Sequence, residues 1–195
     1  MESVEVEHRV VHTEAELVAE LREGGSFALG ELFDRHADRV YNHCFRRTGS
    51  WDLAEDATSA VFLELWRARE RARLHDDSAL PWILGIATNV CHNLNRKRRR
   101  HLRAVSRIPR YDIVPDHSDA VAGRLDDERR MAGLLEALDE LPKRDRELIA
   151  LVAWSGLSYE QAAASLEIPV GTVRSRLSRA RRRLAAAMTP QIGKE

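Results

Sequence analysis

Apolar positions along this chain recur almost everywhere at intervals of three and four, and the alternation that marks a half-buried strand is nearly absent. The pattern predicts an all-α protein. A short helix is expected around Glu14 to Arg22, inside a polar, loose lead-in over 1–24 that ends in Gly24 and Gly25. Phe27, Leu32, Phe33, His36, Val40, Tyr41, Cys44 and Phe45 mark one face of a long helix that Gly49 closes. Asp52 and Glu55 have capping-box spacing and announce a third helix carrying Ala57, Val61, Phe62, Leu65 and Trp66. After the polar break Leu74 to Leu80, Pro81 opens a helix through Trp82, Ile83, Ile86, Ala87, Val90, Cys91 and Leu94 into a basic run. Helices of this number and size can enclose one core, so 25–100 reads as a first domain.

From His101 to Asp126 the period lapses around Pro109 and Pro115, which predicts a flexible linker over 101–127. A second small helical domain is expected over 128–188, followed by a tail, 189–195. Leu134, Leu135, Leu138 and Leu141 form its first stripe; Pro142 starts a helix with Leu148, Ile149, Leu151 and Val152 inward, stopped by Gly156.

The stretch Leu157 to Leu184 carries the sharpest signal. Ser158 and Gln161 form a capping box, Tyr159, Ala162, Ala163 and Leu166 recur at helical spacing, and Pro169 begins a second helix. In that helix Val170, Val173, Leu177, Ala180 and Leu184 are the buried stripe, and the rest is Thr, Ser and Arg. An apolar side that packs on a preceding helix and an arginine side that faces outward are what a helix-turn-helix needs to enter the major groove. Arginine can fork onto guanine O6 and N7, or anchor phosphate. The competing reading is a solvated basic face. It explains the arginines but not the cap, turn and stripe that accompany them.

Composition adds little until it is mapped. The chain has 31 basic and 31 acidic residues, so its net charge points to no partner. Bases cluster at Arg96 to Arg103 and Arg174 to Arg183, and acids around Glu55 to Glu64 and Asp126 to Glu147, which suggests separate surfaces for a polyanion and for a protein. Two cysteines, Cys44 and Cys91, lack metal-ligand spacing and are expected buried and reduced. His8 and His12 share a helical spacing but read as exposed histidines. No phosphate loop, nucleophile elbow or zinc-protease motif is present, so neither catalysis nor a cofactor nor a metal is expected. No long uncharged apolar run occurs, which predicts a cytoplasmic protein without membrane insertion.

Three segments together resemble the sigma-70 family: AEDATSAVFLELWR at 54–67, LPWILGIATN at 80–89 with its continuation NRKRRR, and LSYEQAAASLEIPVGTVRSRLSRARRRL at the end. The brevity is similar to the extracytoplasmic-function (ECF) branch, which keeps only the second and fourth conserved regions. The resemblance implies a dissociable subunit of bacterial RNA polymerase, nucleoid-associated when in holoenzyme. Its partners would be core polymerase, through the clamp of the largest subunit and the flap of the second-largest, and promoter DNA, with an anti-sigma factor as a further partner.

Carried over by position, Asp56, Ser59, Ala60, Leu63 and Trp66 fall on the helix that meets the clamp. Relatives commonly have Gln-Glu at Ser59-Ala60, so fewer polar contacts to polymerase are expected here. The loop Leu74, His75, Asp76, Asp77, Ser78 through Leu80 corresponds to the pocket for a base flipped from the minus-ten strand. Asn89 matches an asparagine that contacts this strand, Asn93 sits one turn on, and Arg96 and Lys97 would grip backbone phosphate. Thr172, Arg174, Ser175, Ser178, Arg179 and Arg182 would dock on the minus-thirty-five duplex. The alternative is a stand-alone helix-turn-helix regulator that binds duplex DNA without polymerase.

Overall fold

The computed structural model describes residues 12–105 and 119–188, and every regular element among them is helical. The order is α1 (Glu14–Arg22), α2 (Ser26–Thr48), α3 (Trp51–Arg67), α4 (Leu80–Val105), α5 (Asp119–Leu138), α6 (Lys143–Ile149), α7 (Tyr159–Leu166) and α8 (Val170–Met188). The all-α expectation holds. Helices α4 and α5 each reach into the stretch expected as linker, and 106–118, its centre, lies outside the described residues, as do 1–11 and 189–195.

Helices α2, α3 and α4 pack against one another, with α1 laid across α2. Leu32, Val40, Val61, Leu65, Ile83 and Leu84 are fully buried between them. The lead-in is not loose from Thr13 onward. Thr13 Oγ1 accepts from Glu16 N at 3.2 Å while Glu16 Oε2 accepts from Thr13 N at 2.7 Å, a complete capping box. Leu17, Val18 and Leu21 then enter the core. Gly49, at φ 68°, ends α2 in the left-handed conformation that glycine adopts without steric cost, and the chain reverses into α3.

Two expectations about this bundle need correction. Phe27 and Phe33, in the N-terminal half of α2, stay 53% and 43% exposed although Phe45 and Val40 on the same faces are buried; Phe27 meets the His12 ring at 5.4 Å and Phe33 the Phe62 ring at 4.7 Å. The Asp52–Glu55 capping box does not form: α3 begins two residues earlier than that box would set, with Ser50 as N-cap and Trp51 as first residue, whose N–H donates to Glu128 Oε1 of α5 at 2.7 Å. A side chain 77 positions away does the work expected of a local one.

In the second unit α6, α7 and α8 bury Leu148, Leu151 and Val173 completely. The expected α5 stripe is cut down: Leu138 and Leu141 are buried, Leu135 is half-buried against Gly49, and Leu134 is 43% exposed. Helix α6 runs into a π-helical turn, Ala150–Trp154, before Gly156 at φ 73° stops it. That wide turn leaves the Trp154 and Ser155 carbonyls facing α2, where Arg46 and Arg39 donate to them, Arg39 at 3.0 Å.

These bonds belong to an extensive seam between the two units. The buried apolar cluster is continuous across it, with Leu151, Leu157 and Ala162 joining Leu84, Ala87 and Cys91. Helix α7 packs on α4 at Gly85, where an added Cβ would lie 2.5 Å from the Ser165 carbonyl oxygen. The Ser165 hydroxyl donates back to Pro81 O at 2.6 Å. Fully buried in the seam, His43 of α2 sits 2.9 Å from Ser155 Oγ and 3.2 Å from Thr88 Oγ1 of α4. The two domains are thus docked face to face, an arrangement that no local pattern in the sequence specifies.

Candidate nucleic-acid interface

The helix-turn-helix is built as its sequence prescribes. Ser158 N donates to Gln161 Oε1 and Gln161 N to Ser158 Oγ, both at 3.0 Å, which fixes the start of α7. Glu167 at φ 54° turns the chain, Ile168 N closes on Ala163 O at 3.1 Å, and Pro169 precedes α8. Val173, Leu177 and Ala180 are buried, so the opposite side of α8 faces solvent with Arg174, Ser175, Ser178, Arg179 and Arg182, and Thr172 at its half-buried edge. Arg174 is 3.5 Å from Glu160, an exposed pair worth little and open to exchange for phosphate. Arg181 and Arg183 behave differently. They reach back to Tyr159 Oη at 3.3 Å and Asp145 at 3.7 Å, so they brace the domain.

In the first domain the loop before α4 is a tight turn. His75 N donates to Ser78 O at 2.9 Å and Ser78 N to His75 O at 3.2 Å, with Asp76 and Asp77 at φ 50° and 56° between them. Both lie in the left-handed region, which Asp tolerates better than most residues. They are exposed, whereas Leu74, His75 and Ser78 are half-buried. One residue that sequence reasoning missed holds this turn. Glu14 of α1 accepts from Ala79 N at 2.5 Å and from Ser78 Oγ at 3.3 Å, and His36 Nε2 lies 3.1 Å from its other oxygen. Burial alone would raise the Glu14 carboxyl, but His36, the Ala79 N–H and Ser78 outweigh it and hold the group below its ordinary value. The sequence placed a helix over this segment, and what it did not show is that the helix brings Glu14 to the turn 64 and 65 positions away.

Asn89, Asn93, Arg96 and Lys97 follow on α4 at spacings of four, three and one, all exposed on one face. On α3, Asp56, Ser59 and Leu63 are exposed, and Ala60 and Trp66 half-buried. Leu63 is 50% exposed, an apolar side chain suited to a protein partner, and the Arg69 guanidinium lies 4.9 Å over the Trp66 ring. The sequence-predicted residues thus form separate surfaces, and α7, packed on both α4 and α8, stands between the α4 and α8 sets.

Known proteins share these elements in the same order. Residues 32–101 match the family model "Sigma-70 region 2" and residues 131–184 match "Sigma-70, region 4". RNA polymerase sigma factor HrpL of Pseudomonas syringae pv. syringae is 31% identical over 152 residues, 74% of this chain and 78% of that protein. The chain belongs to the sigma-70 family. Its place in the ECF branch follows from relatives such as the ECF RNA polymerase sigma factor SigE of Mycolicibacterium smegmatis, 36% identical over 154 residues, 79% of this chain. The match spans 59% of the length of SigE.

The sigma factor's fold is similar to that of CnrH in complex with the cytosolic domain of CnrY, at a TM-score of 0.64 and 25% identity over 91% of this chain and 98% of that one. It is also similar to the sigma factor RpoE in complex with the anti-sigma factor NepR from Bartonella quintana, at a TM-score of 0.57 and 25% identity, covering 83% and 97%. Among the described residues no helix of the sigma factor is long and apolar enough to cross a membrane, and no cluster of metal-ligating side chains occurs.

Proposed function

We propose that this sigma factor binds core RNA polymerase and directs promoter-specific initiation, leaving catalysis to the polymerase. One observation supports this most: an arginine-faced helix-turn-helix and an amide- and arginine-bearing α4 lie on different domains of one chain, beside an α3 face that leaves Leu63 in solvent. A duplex-binding regulator needs only the first of these. In our reading Arg174, Ser175, Ser178 and Arg179 read the minus-thirty-five element, with Thr172 and Arg182 at its edges. The Asp76–Asp77 turn with Asn89 and Asn93 captures the melted minus-ten strand, and Arg96 and Lys97 hold its phosphates. Asp56, Ser59, Ala60, Leu63 and Trp66 meet the polymerase clamp, with Leu63 and Trp66 supplying apolar area where Ser59 and Ala60 supply few polar contacts.

The docked arrangement places a condition on this function. Helix α7 is held on α4 at Gly85 and Ser165, and His43 of α2 joins Ser155, ahead of α7, to Thr88 of α4, so engaging two promoter elements at a fixed separation requires the domains to part. Core polymerase supplies the energy for parting by binding the open form, and an anti-sigma factor would act in the opposite sense by binding the closed one. The protein works in the cytoplasm, on the nucleoid when part of holoenzyme.

The R174A/R179A double variant tests the assignment of α8. Transcription from the cognate promoter should fall by roughly tenfold or more, since each lost arginine–base contact costs about 1–3 kcal/mol, while co-elution with core polymerase persists. Preserved transcription would remove α8 from promoter reading. Footprinting of the same promoter without polymerase separates the stand-alone regulator, which would protect it.

A further inference from the structure

The docked domains enclose a cleft of about 460 Å³ between the end of α2, the basic end of α4, the end of α5 and α6. That volume falls in the range of small-molecule sites. From the first domain Arg46, Arg47, Arg96, Arg98 and Arg100 line it, and from the second Lys143 and Arg146. Against these cations the lining holds one carboxylate, Asp139, which is already paired with Arg146. Glu147 lies nearby, 3.4 Å from Lys143 and 3.9 Å from Arg47, and offsets only part of the excess.

Two side chains register the imbalance. Arg47 is 10% exposed and its Nε–H has no hydrogen-bond partner, a buried cationic donor that lacks an acceptor. His92, also in the lining, is held below its ordinary histidine value by burial first and by Lys143 next, with Arg96 and Arg47 adding and Glu147 opposing. Leu135, Leu138 and Trp154 add apolar lining. A basic helix end that merely awaited DNA would not need Lys143 and Arg146 opposite it. They face Arg98 and Arg100 only because the domains dock.

We propose that this cleft binds a polyphosphorylated small molecule, whose phosphates bridge the cations of both domains and so clamp the closed form. Arginine forks match phosphate oxygens two at a time, and a ligand with several phosphates can satisfy facing walls together. A ligand that binds only the closed form shifts the population toward it by mass action. Because Arg96 belongs to both the cleft and the minus-ten surface, ligand and promoter compete for it. That competition rests on the sigma-factor reading, whereas binding itself does not.

The test is isothermal titration calorimetry of the full chain, free of magnesium and at physiological salt, with sodium tripolyphosphate and with ATP as probes. One site is expected. Affinity should drop about tenfold or more in R98A/R100A and in K143A/R146A, and change less than about twofold in R174A/R179A, which removes the same charge from α8. Circular dichroism confirms folding of each variant, and the two cleft pairs sit on different domains, so failure of one leaves the other informative. ATP binding more tightly than tripolyphosphate, with that advantage lost in W154F, identifies a nucleoside ligand with its base against Trp154; equal or tighter binding of tripolyphosphate identifies the polyphosphate group alone. Absence of binding, more than one site, or an equal loss in the α8 variant would overturn the proposal, since each describes diffuse attraction to a basic surface.

Discussion

His43 is the residue on which docking and solution conditions meet. Burial first, and then the positive charges of Arg47 and Arg46, push its pKa down to about 3, so it is neutral between Ser155 and Thr88 at physiological pH. The folded value lies below the unfolded value near 6.5. Its contribution is therefore complete above that value and is lost as pH falls from about 6.5 toward about 3, at up to roughly 1.4 kcal/mol per pH unit. Thermal unfolding should show the melting temperature falling between pH 7 and pH 5, and H43Q, which cannot take up a proton, should flatten that fall. An unchanged slope in the variant would contradict this role of His43. Glu14 acts in a lower window. Its depressed pKa adds stability that is present above its unfolded value of 4.5 and lost as pH drops through the folded value. E14Q should remove that acid-side loss and loosen the Asp76–Asp77 turn, which amide exchange at Ser78 and Ala79 would report.

Among the elements, α4 and α7 carry the sharpest prediction. Gly85 lies inside α4, where alanine would favour the helix by about 1 kcal/mol. Its new Cβ would nevertheless sit 2.5 Å from a backbone oxygen that cannot swing aside. Overpacking of this kind costs about 1–3 kcal/mol, so G85A should weaken docking while leaving the first domain as stable or more stable. Small-angle scattering should give a larger radius of gyration for the variant, and no change would mean that docking tolerates a methyl group there. At the other end of α7, S158A removes a capping acceptor and should cost about 1 kcal/mol by chemical denaturation.

The same elements show what sequence could disclose. The Ser158–Gln161 box and the Gly49 stop were legible because their physics lies within four residues. The Asp52–Glu55 box had the same local spacing and failed, because Glu128 from α5 reached the helix end first. Glu14 and the seam escaped for a related reason. His43 meets Ser155 across 112 positions and Arg39 meets it across 116, and no period or spacing registers contacts of that span. Gly85 within a helix was the one local hint, since a glycine kept there at a cost in helix propensity marks a close approach.

For the whole molecule, the proposed function joins three surfaces on one chain to a seam between its domains, and in that reading polymerase completes the DNA-binding unit. Free protein should bind promoter duplex weakly, and holoenzyme tightly with steep salt dependence, because several arginines displace counterions together. A flat salt response of the closed complex would count against phosphate contacts. The most direct measurement is run-off transcription with purified core polymerase on genomic fragments, with and without this protein. The account predicts discrete transcripts that require both components, and start sites sharing paired upstream elements at constant separation. Protein that protects promoter DNA equally well without polymerase, and yields no transcripts with it, would contradict the account.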